Sequence, residues 1–421
     1  MLRMRPNVCN APTVLALPQM LPLRLARKIT ERKMAGLSGG KLSVKQGRET
    51  LIFGTESRDD LSAYLEVLNE DFYRNTVLGG SIGAAESYMA GHWRSDNLVA
   101  LLRLMARNAH LLSGLDTGLG RFWQLFNRLL HRFRSNTQMG SRQNIYRHYD
   151  LSNEFFGLFL DETWMYSCAY FETPDMTLAQ ASRAKNQRLC RSLELKPSDH
   201  LLEIGTGWGG FAMHAASQFG CRVTSTTISP SQYEMAVERV HAAGLQDRVT
   251  ILLEDYRELK GQYDKLVSIE MVEAVGNNFL DTFFRVASDR LRSGGRFAMQ
   301  SIVIRDQQHA RHIHTVDFIK RHIFPGSCLP SVTSLCTAAT RAGSLRLTGL
   351  EDITPHYART LRLWRERFLE RRSEVQALGF PETFIRMWEY YLAYCEAGFT
   401  EQYIGTMQSL WFKSEVYHSS S

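Results

Sequence analysis

The clearest pattern along this chain is a short apolar run that ends abruptly in turn residues. Leu201, Leu202 and Ile204 form such a run; closely spaced glycines follow, then a helix-compatible stretch from Phe211 to Phe219. That order predicts a first strand, a tight turn and a first helix. Cys221–Ile228 predicts a second strand. Ser229 and Pro230 then open a helix, as N-cap and first helical residue. Val249–Glu254, Tyr263–Ile269 and Gly295–Val303 predict the third, fourth and fifth strands. Strand–helix alternation from about residue 145 onward makes an α/β domain, a doubly wound, mostly parallel sheet with ligands at the carboxyl ends of its strands.

The first part of the chain is patterned differently. Lys41–Lys45 and Thr50–Gly54 alternate like short strands, Asp59–Tyr73 reads as helix then loop, and Asn97–Ala109 reads as helix. Farther on, Phe122, Phe126, Leu129, Leu130 and Phe133 recur at helical spacing beside Arg121, Arg128, Arg132 and Arg134. A basic amphipathic helix of this kind suits an anionic bilayer surface or an apolar face of its own protein. Residues 1–35 are expected to be a disordered extension, because Pro6, Pro12, Pro18 and Pro22 break any long helix there. A small α+β domain over 36–134, a polar linker at 135–144 and the larger domain over 145–421 complete the expected organisation.

Charge narrows the partners. A net charge of +7 over 421 residues favours polyanions, nucleic acid and an acidic lipid surface equally. No segment resembles an RNA-binding module, so nucleic acid is not expected as a partner. No run of about 18 apolar residues is present to cross a membrane. Seven scattered cysteines, with no C-x-x-C pair, give no metal or redox motif and suit a reducing cytoplasm.

The glycine turn carries the candidate chemistry. Gly205, Gly207 and Gly209 are spaced G-x-G-x-G, not the G-x-G-x-x-G of dinucleotide enzymes. With Glu203 just before them, the turn reads as an S-adenosylmethionine pocket. Strand two ends in Thr226 and Thr227, with Gln232 beyond, where a dinucleotide fold usually places a ribose-binding acid. These groups suit the methionine or ribose part of a ligand, or simply the polar end of a sheet.

Four ordered segments add a resemblance: His148–Asp161 followed by Met165–Phe171, then Glu203–Gly210, then Ile323–Pro330, with a weaker match at Glu86–Trp93. Together they resemble the cyclopropane-fatty-acyl-phospholipid synthase family over roughly residues 145–413. The resemblance implies a seven-stranded Rossmann-like methyltransferase sheet with a lid, for which Gln307–Leu335 is the candidate. It implies transfer of a methyl group from S-adenosylmethionine to a cis double bond of a phospholipid acyl chain. The resulting cation then closes to a cyclopropane, with a bound bicarbonate ion as base. Tyr166, Ser167, the three glycines, Thr226, Thr227, Gln232, Asp255 and Tyr256 match its cofactor segments. Cys168, Glu273, Ile302 and Tyr357 match its bicarbonate pocket, and Cys395 matches a cysteine assigned to the active site. Gln300 stands where many members carry histidine; it can hydrogen-bond an anion but cannot carry a positive charge. A related branch that makes methylene- or methyl-branched chains also resembles this sequence around Ser268–Gly276.

Each of these residues has a plainer alternative. Cys168 and Cys395 suit small buried hydrophobes, Glu273 a solvated loop acid, and Tyr357 the packed start of a helix ending near Arg372. His148 and His322 read as structural histidines. Methylation of another small molecule, or a lipid-binding protein that has lost catalysis, are the competing functions. The family's extra N-terminal domain suggests a homodimer, and its substrate implies a cytoplasmic protein bound peripherally to the inner face of a membrane.

Overall fold

A computed structural model describes residues 21–109, 111 and 151–414. The expected amphipathic helix at 121–134, the linker and His148 lie outside the described residues. The described chain falls into two compact units.

The first unit combines the described N-terminal residues with residues 314–325 and 361–403. The small N-terminal domain expected over 36–134 therefore also takes in two pieces of the region assigned to the larger domain. Its sheet has strands β1 (Gly40–Gln46), β2 (Glu49–Thr55), β3 (Ser62–Val67) and β4 (Trp93–Arg94), in the order β2-β1-β3-β4. β1 is antiparallel to β2 and parallel to β3. Strand β3 corrects the helix expected over Asp59–Tyr73. Ala63, Leu65 and Val67 alternate inward at a period of two, and a helix would scatter them around its circumference. The helix instead begins at Asp71 and runs to Met89, broken at Gly80. Residues 23–34, placed in the disordered extension, form a helix that buries Ala26 and Thr30. It starts immediately after Pro22, and no proline lies inside it. Helix Leu98–Arg107 is capped by Asn97, whose side chain accepts from the Ala100 amide. It packs with helix Asp71–Met89 against the long helix Glu382–Thr400.

The second unit holds the seven-stranded sheet. Its strands are β5 (His200–Ile204), β6 (Arg222–Thr227), β7 (Val249–Leu253), β8 (Tyr263–Ile269), β9 (Leu291–Ile304), β10 (Leu345–Asp352) and β11 (Ile404–Lys413). Their order is β10-β11-β9-β8-β5-β6-β7. Pairings from β7 through β9 are parallel, and β11 runs antiparallel between β9 and β10. This is the doubly wound sheet that the alternation predicts. Its central strands are apolar on both faces because helices cover both. Phe283, Phe284, Phe297 and Trp411 fill one side, and Leu189, Phe211, Ala215 and Val240 the other. Each buried aromatic or leucine contributes about 1.5–3 kcal/mol. The order reverses at β5, which has β6 on one side and β8 on the other, so the crevice for a ligand opens at the carboxyl end of β5. Residues 307–335 contain parts of helices Asp306–Ile313 and Val332–Ala342, with a π-turn at Ile319–Ile323 between them.

Candidate active site

The glycine turn leaves β5 with three left-handed residues: Gly205 at φ 104°, Gly207 at φ 53° and Gly209 at φ 82°. At Gly207 nothing lies within 4 Å of where a side chain would project, so bare backbone faces open space. That is the surface a nucleotide-bearing ligand needs. The turn is held rigidly. Gly205 and Thr206 donate their amides to the Thr226 carbonyl at 3.1 and 3.0 Å. The Thr206 and Ser225 hydroxyls meet at 2.7 Å, and the Trp208 indole donates to Asn153 at 2.7 Å. Arg239 donates to the Trp208 carbonyl. These residues fit S-adenosylmethionine, which when bound supplies an electrophilic methyl group.

The expected cofactor residues cluster at this end of the sheet, several already with protein partners. Glu203 is buried at the heart of β5, accepts from the Ser225 hydroxyl at 2.5 Å, and is pushed up to about 8 by burial. Thr226 donates to the Glu254 carbonyl, and Thr227 to Gln232 at 3.1 Å. Ser229 caps the helix beginning at Pro230, as expected. Asp255 is gripped by the Arg257 guanidinium at 2.7 and 2.8 Å. Tyr256 meets Phe283 edge-on at 5.8 Å. Tyr166 packs on Phe156 at 5.3 Å, and the Ser167 hydroxyl accepts from Lys185 at 3.0 Å.

Beside the turn lies a carboxylate cluster. Met271 comes within 3.3 Å of the side-chain direction of Gly205, so the segment after β8 packs directly on the turn. Just before Met271, Glu270 sits in the left-handed region at φ 49°. Its Oε1 accepts from the Cys168 amide at 2.8 Å and from the Gln300 amide group at 2.8 Å; its Oε2 accepts from the Tyr357 hydroxyl at 2.6 Å. Gln300 also donates to the Cys168 carbonyl at 3.1 Å and accepts from Gln408 at 3.0 Å. Cys168 and Gln300 are fully buried and Tyr357 is 6% exposed, whereas Glu270 keeps partial exposure. Burial raises the Glu270 carboxyl, and the hydrogen bonds from Tyr357, Cys168 and Gln300 oppose that rise. Burial also pushes the Cys168 thiol far up, so it stays protonated.

Glu273 occupies the short helix Val272–Val275. Its Oε1 accepts from the Ile302 amide, while its buried Oε2 has no hydrogen-bond partner. Burial, with Glu270 nearby, pushes its carboxyl up to about 8. Lys185, fully buried on the helix Leu178–Ser192, is pulled down to about 8 by burial against the attraction of Glu270.

The structure therefore brings Cys168, Glu273, Gln300, Ile302 and Tyr357 together in one unit. Cys395 belongs to the other unit, on helix Glu382–Thr400, where burial with Asp317 nearby raises its thiol well above the usual range. His322 in that unit lies 3.2 Å from buried Glu86, a structural contact as expected. Two residues of the cluster went unassigned at the sequence level. Lys185 betrays itself by falling on the buried helix face with Ala181 and Leu189. Glu270 gives no such signal, because an acid just past a strand reads as a solvated loop residue. Of the residues that the resemblance gives to a bicarbonate pocket, the Ile302 amide donates to Glu273, while Cys168 and Tyr357, joined by Gln300, donate to Glu270. A free anion at that position does not fit them.

Comparison with known proteins agrees with this geometry. Residues 136–409 match the model of mycolic acid cyclopropane synthetase. The tuberculostearic acid methyltransferase of Mycobacterium tuberculosis is 42% identical over 344 residues, 78% of each chain. The cyclopropane-fatty-acyl-phospholipid synthase of Escherichia coli is 36% identical over 339 residues, 80% of this chain and 84% of that one. Among solved structures, the cyclopropane synthase MmaA2 from Mycobacterium tuberculosis superposes with a TM-score of 0.60 at 32% identity, covering 64% of this chain and 97% of that chain. A mycolic acid cyclopropane synthase solved with SAH and CTAB gives the same TM-score, identity and coverage. Coclaurine N-methyltransferase, at 18% identity and a TM-score of 0.60, shares the fold. The fold is that of the class I S-adenosylmethionine-dependent methyltransferases.

Proposed function

Because the chain belongs to the mycolic acid cyclopropane synthetase family of S-adenosylmethionine-dependent methyltransferases, we propose that it methylates the cis double bond of an unsaturated phospholipid acyl chain and closes the product to a cyclopropane. The observation that carries this reading is the buried carboxylate cluster packed against the glycine turn. Methylation at oxygen or nitrogen draws on a lone pair. Methylation of an alkene leaves a cation whose carbon-bound proton must still be removed, so a site for it needs a base beside the methyl donor. An alkene is also a weak nucleophile, so the site must align it and exclude water. Tyr357 and Tyr166 add aromatic surface in the same unit, which tolerates a nearby cation.

A second product is favoured by a separate observation. The 42% identity to a tuberculostearic acid methyltransferase, with Gln300 in the fifth parallel strand, supports another fate of the same cation, in which a 1,2-hydride shift precedes proton loss and leaves a methylene branch instead of a ring. In either case the substrate lies in an anionic phospholipid surface on the inner face of the membrane. The net charge of +7 supports docking there, and no described helix is long and apolar enough to cross a membrane.

Purified protein is incubated with labelled S-adenosylmethionine and cis-unsaturated phosphatidylglycerol vesicles, and the acyl chains are analysed by gas chromatography and mass spectrometry. The expected result is a chain heavier by a CH₂ unit, with its fragmentation separating ring from branch. Cofactor binding with no gain of mass in any acyl chain would overturn the reading.

A further inference from the structure

We propose that Glu270 is this chain's built-in proton acceptor, its carboxylate occupying the hydrogen-bond donors that a bound bicarbonate ion would otherwise use. The inference deepens the lipid C-methylation reading and rests on it for the reaction, but not for the occupancy of the anion site.

The geometry is that of a held anion. A glutamate carboxylate and bicarbonate share a planar O–C–O group, and each needs donors at both oxygens. Here the donors are the Cys168 amide and the Gln300 amide group on Oε1, both at 2.8 Å, and the Tyr357 hydroxyl on Oε2 at 2.6 Å. All three donor residues are buried, so their hydrogen bonds are not traded with bulk water. Gln300 is locked in the donating orientation, because its oxygen accepts from Gln408, whose own oxygen accepts from Arg188 at 3.0 Å. A neutral glutamine suits a carboxylate that is covalently attached and need not be attracted from solution.

The backbone supports the same assignment. Glu270 adopts φ 49°, and its amide donates to the Gln300 carbonyl at 2.8 Å. A glycine would hold that conformation with less strain, so what the position acquires from glutamate is the side chain. The other acid of the cluster does not serve as well. Glu273 has only one oxygen met by a donor, the Ile302 amide, and the other is buried and unpartnered, whereas both oxygens of Glu270 are met by donors that favour the ionised form.

In the proposed step the alkene carbon has formed its bond to the transferred methyl group, and the carbon–sulfur bond has broken with its electron pair left on sulfur. One C–H bond of the alkyl cation then breaks. Its electron pair closes the ring or, where a 1,2-hydride shift has first moved the positive charge onto the methyl-bearing carbon, forms the methylene double bond; in both cases the proton passes to Glu270, which becomes a neutral carboxylic acid.

Two measurements on the full chain test this. Isotope-labelled bicarbonate is titrated into wild type and Glu270→Gly and followed by NMR. Saturable binding is expected only for Glu270→Gly; saturable binding to wild type overturns the proposal. In parallel, methyl transfer to phosphatidylglycerol vesicles is measured in buffer stripped of carbon dioxide. Wild-type turnover is expected to be unchanged, Glu270→Gln to lose about 100-fold or more with its S-adenosylmethionine affinity intact, and Glu270→Gly to recover on adding bicarbonate. Wild-type turnover that stops on stripping and returns with bicarbonate overturns the assignment. Should wild type methylate no lipid, the functional reading fails, while the titration still decides whether Glu270 fills the anion site. Should Glu270→Gln fail to fold, the wild-type titration and stripping decide alone.

Discussion

Three glutamates and a lysine share the interior beside the glycine turn, and their pH behaviour follows from burial. Glu273 shifts from 4.5 to about 8 on folding. The folded state therefore holds a proton that the unfolded chain has released between those two values. Its contribution is fully present below about 4.5 and is lost as pH rises through about 8. Glu273→Gln keeps an oxygen for the Ile302 amide and removes the titration. Relative to the variant, wild type is expected to lose stability across that window by at most about 1.4 kcal/mol per pH unit, measured by urea unfolding at several pH values. Parallel curves would contradict the assignment of the shift to this residue. Lys185 acts on Glu270 in the opposite sense, because its charge favours the ionised carboxylate. Lys185→Met is expected to move the acid limb of the kcat/KM profile to higher pH, as Glu270 becomes harder to ionise. A profile that falls in height without moving would leave Lys185 with a packing role alone.

At the scale of elements, the turn after β5 separates strain from ligand binding. A Cβ at Gly207 would meet nothing within 4 Å, so Gly207→Ala is expected to lower stability only by the left-handed penalty of about 1–2 kcal/mol. S-adenosylmethionine affinity should fall much more steeply in calorimetry; equal, small losses in both would mean that the open backbone faces no ligand. The parallel strands were legible because burial on both faces makes them continuous apolar runs. Ser229 and Pro230 were legible as cap and first helical residue because their chemistry is local. Strand β3 was not, since Leu61–Val67 carries apolar residues that a helical and an alternating template both accept; its pairing with β1, set by residues some twenty positions away, decided the matter. Strands β10 and β11 came only through the family resemblance, because β11 is supplied by the last stretch of the described chain. Within the site, Cys168, Gln300 and Tyr357 were found by resemblance, but their convergence on Glu270 is a property of three dimensions alone. For the segment carrying Arg121, Arg128, Arg132 and Arg134, reversing these charges is expected to weaken co-sedimentation with anionic vesicles and to leave S-adenosylmethionine affinity unchanged. Loss of cofactor affinity would place the segment in the protein's own core.

At the scale of the whole molecule, neither unit is continuous in sequence. The first draws on the N-terminal segment, on 314–325 and on 361–403, so a cut at the change in patterning near residue 145 divides that unit. Helix Glu382–Thr400 shows why. Tyr390 packs on Tyr88 with ring centroids 5.6 Å apart, and Arg386 donates to the Trp93 carbonyl at 2.9 Å and also to that of Tyr88. Glu401, just past the helix, takes the guanidinium groups of Arg103 and Arg107, each at 2.7 Å. Removing residues 1–144 uncovers the apolar face that meets helix Leu98–Arg107 and strips a largely buried carboxylate of both its cations. A fragment starting at residue 145 is therefore expected to bind a hydrophobic dye, to elute as aggregates and to lose a cooperative melt, even though it retains the whole seven-stranded sheet. Should it instead remain monomeric and melt cooperatively with native helix content, residues 361–403 would be able to fold without the N-terminal partner that buries them here, and the interleaving of the two units would be an accident of chain path with no bearing on folding.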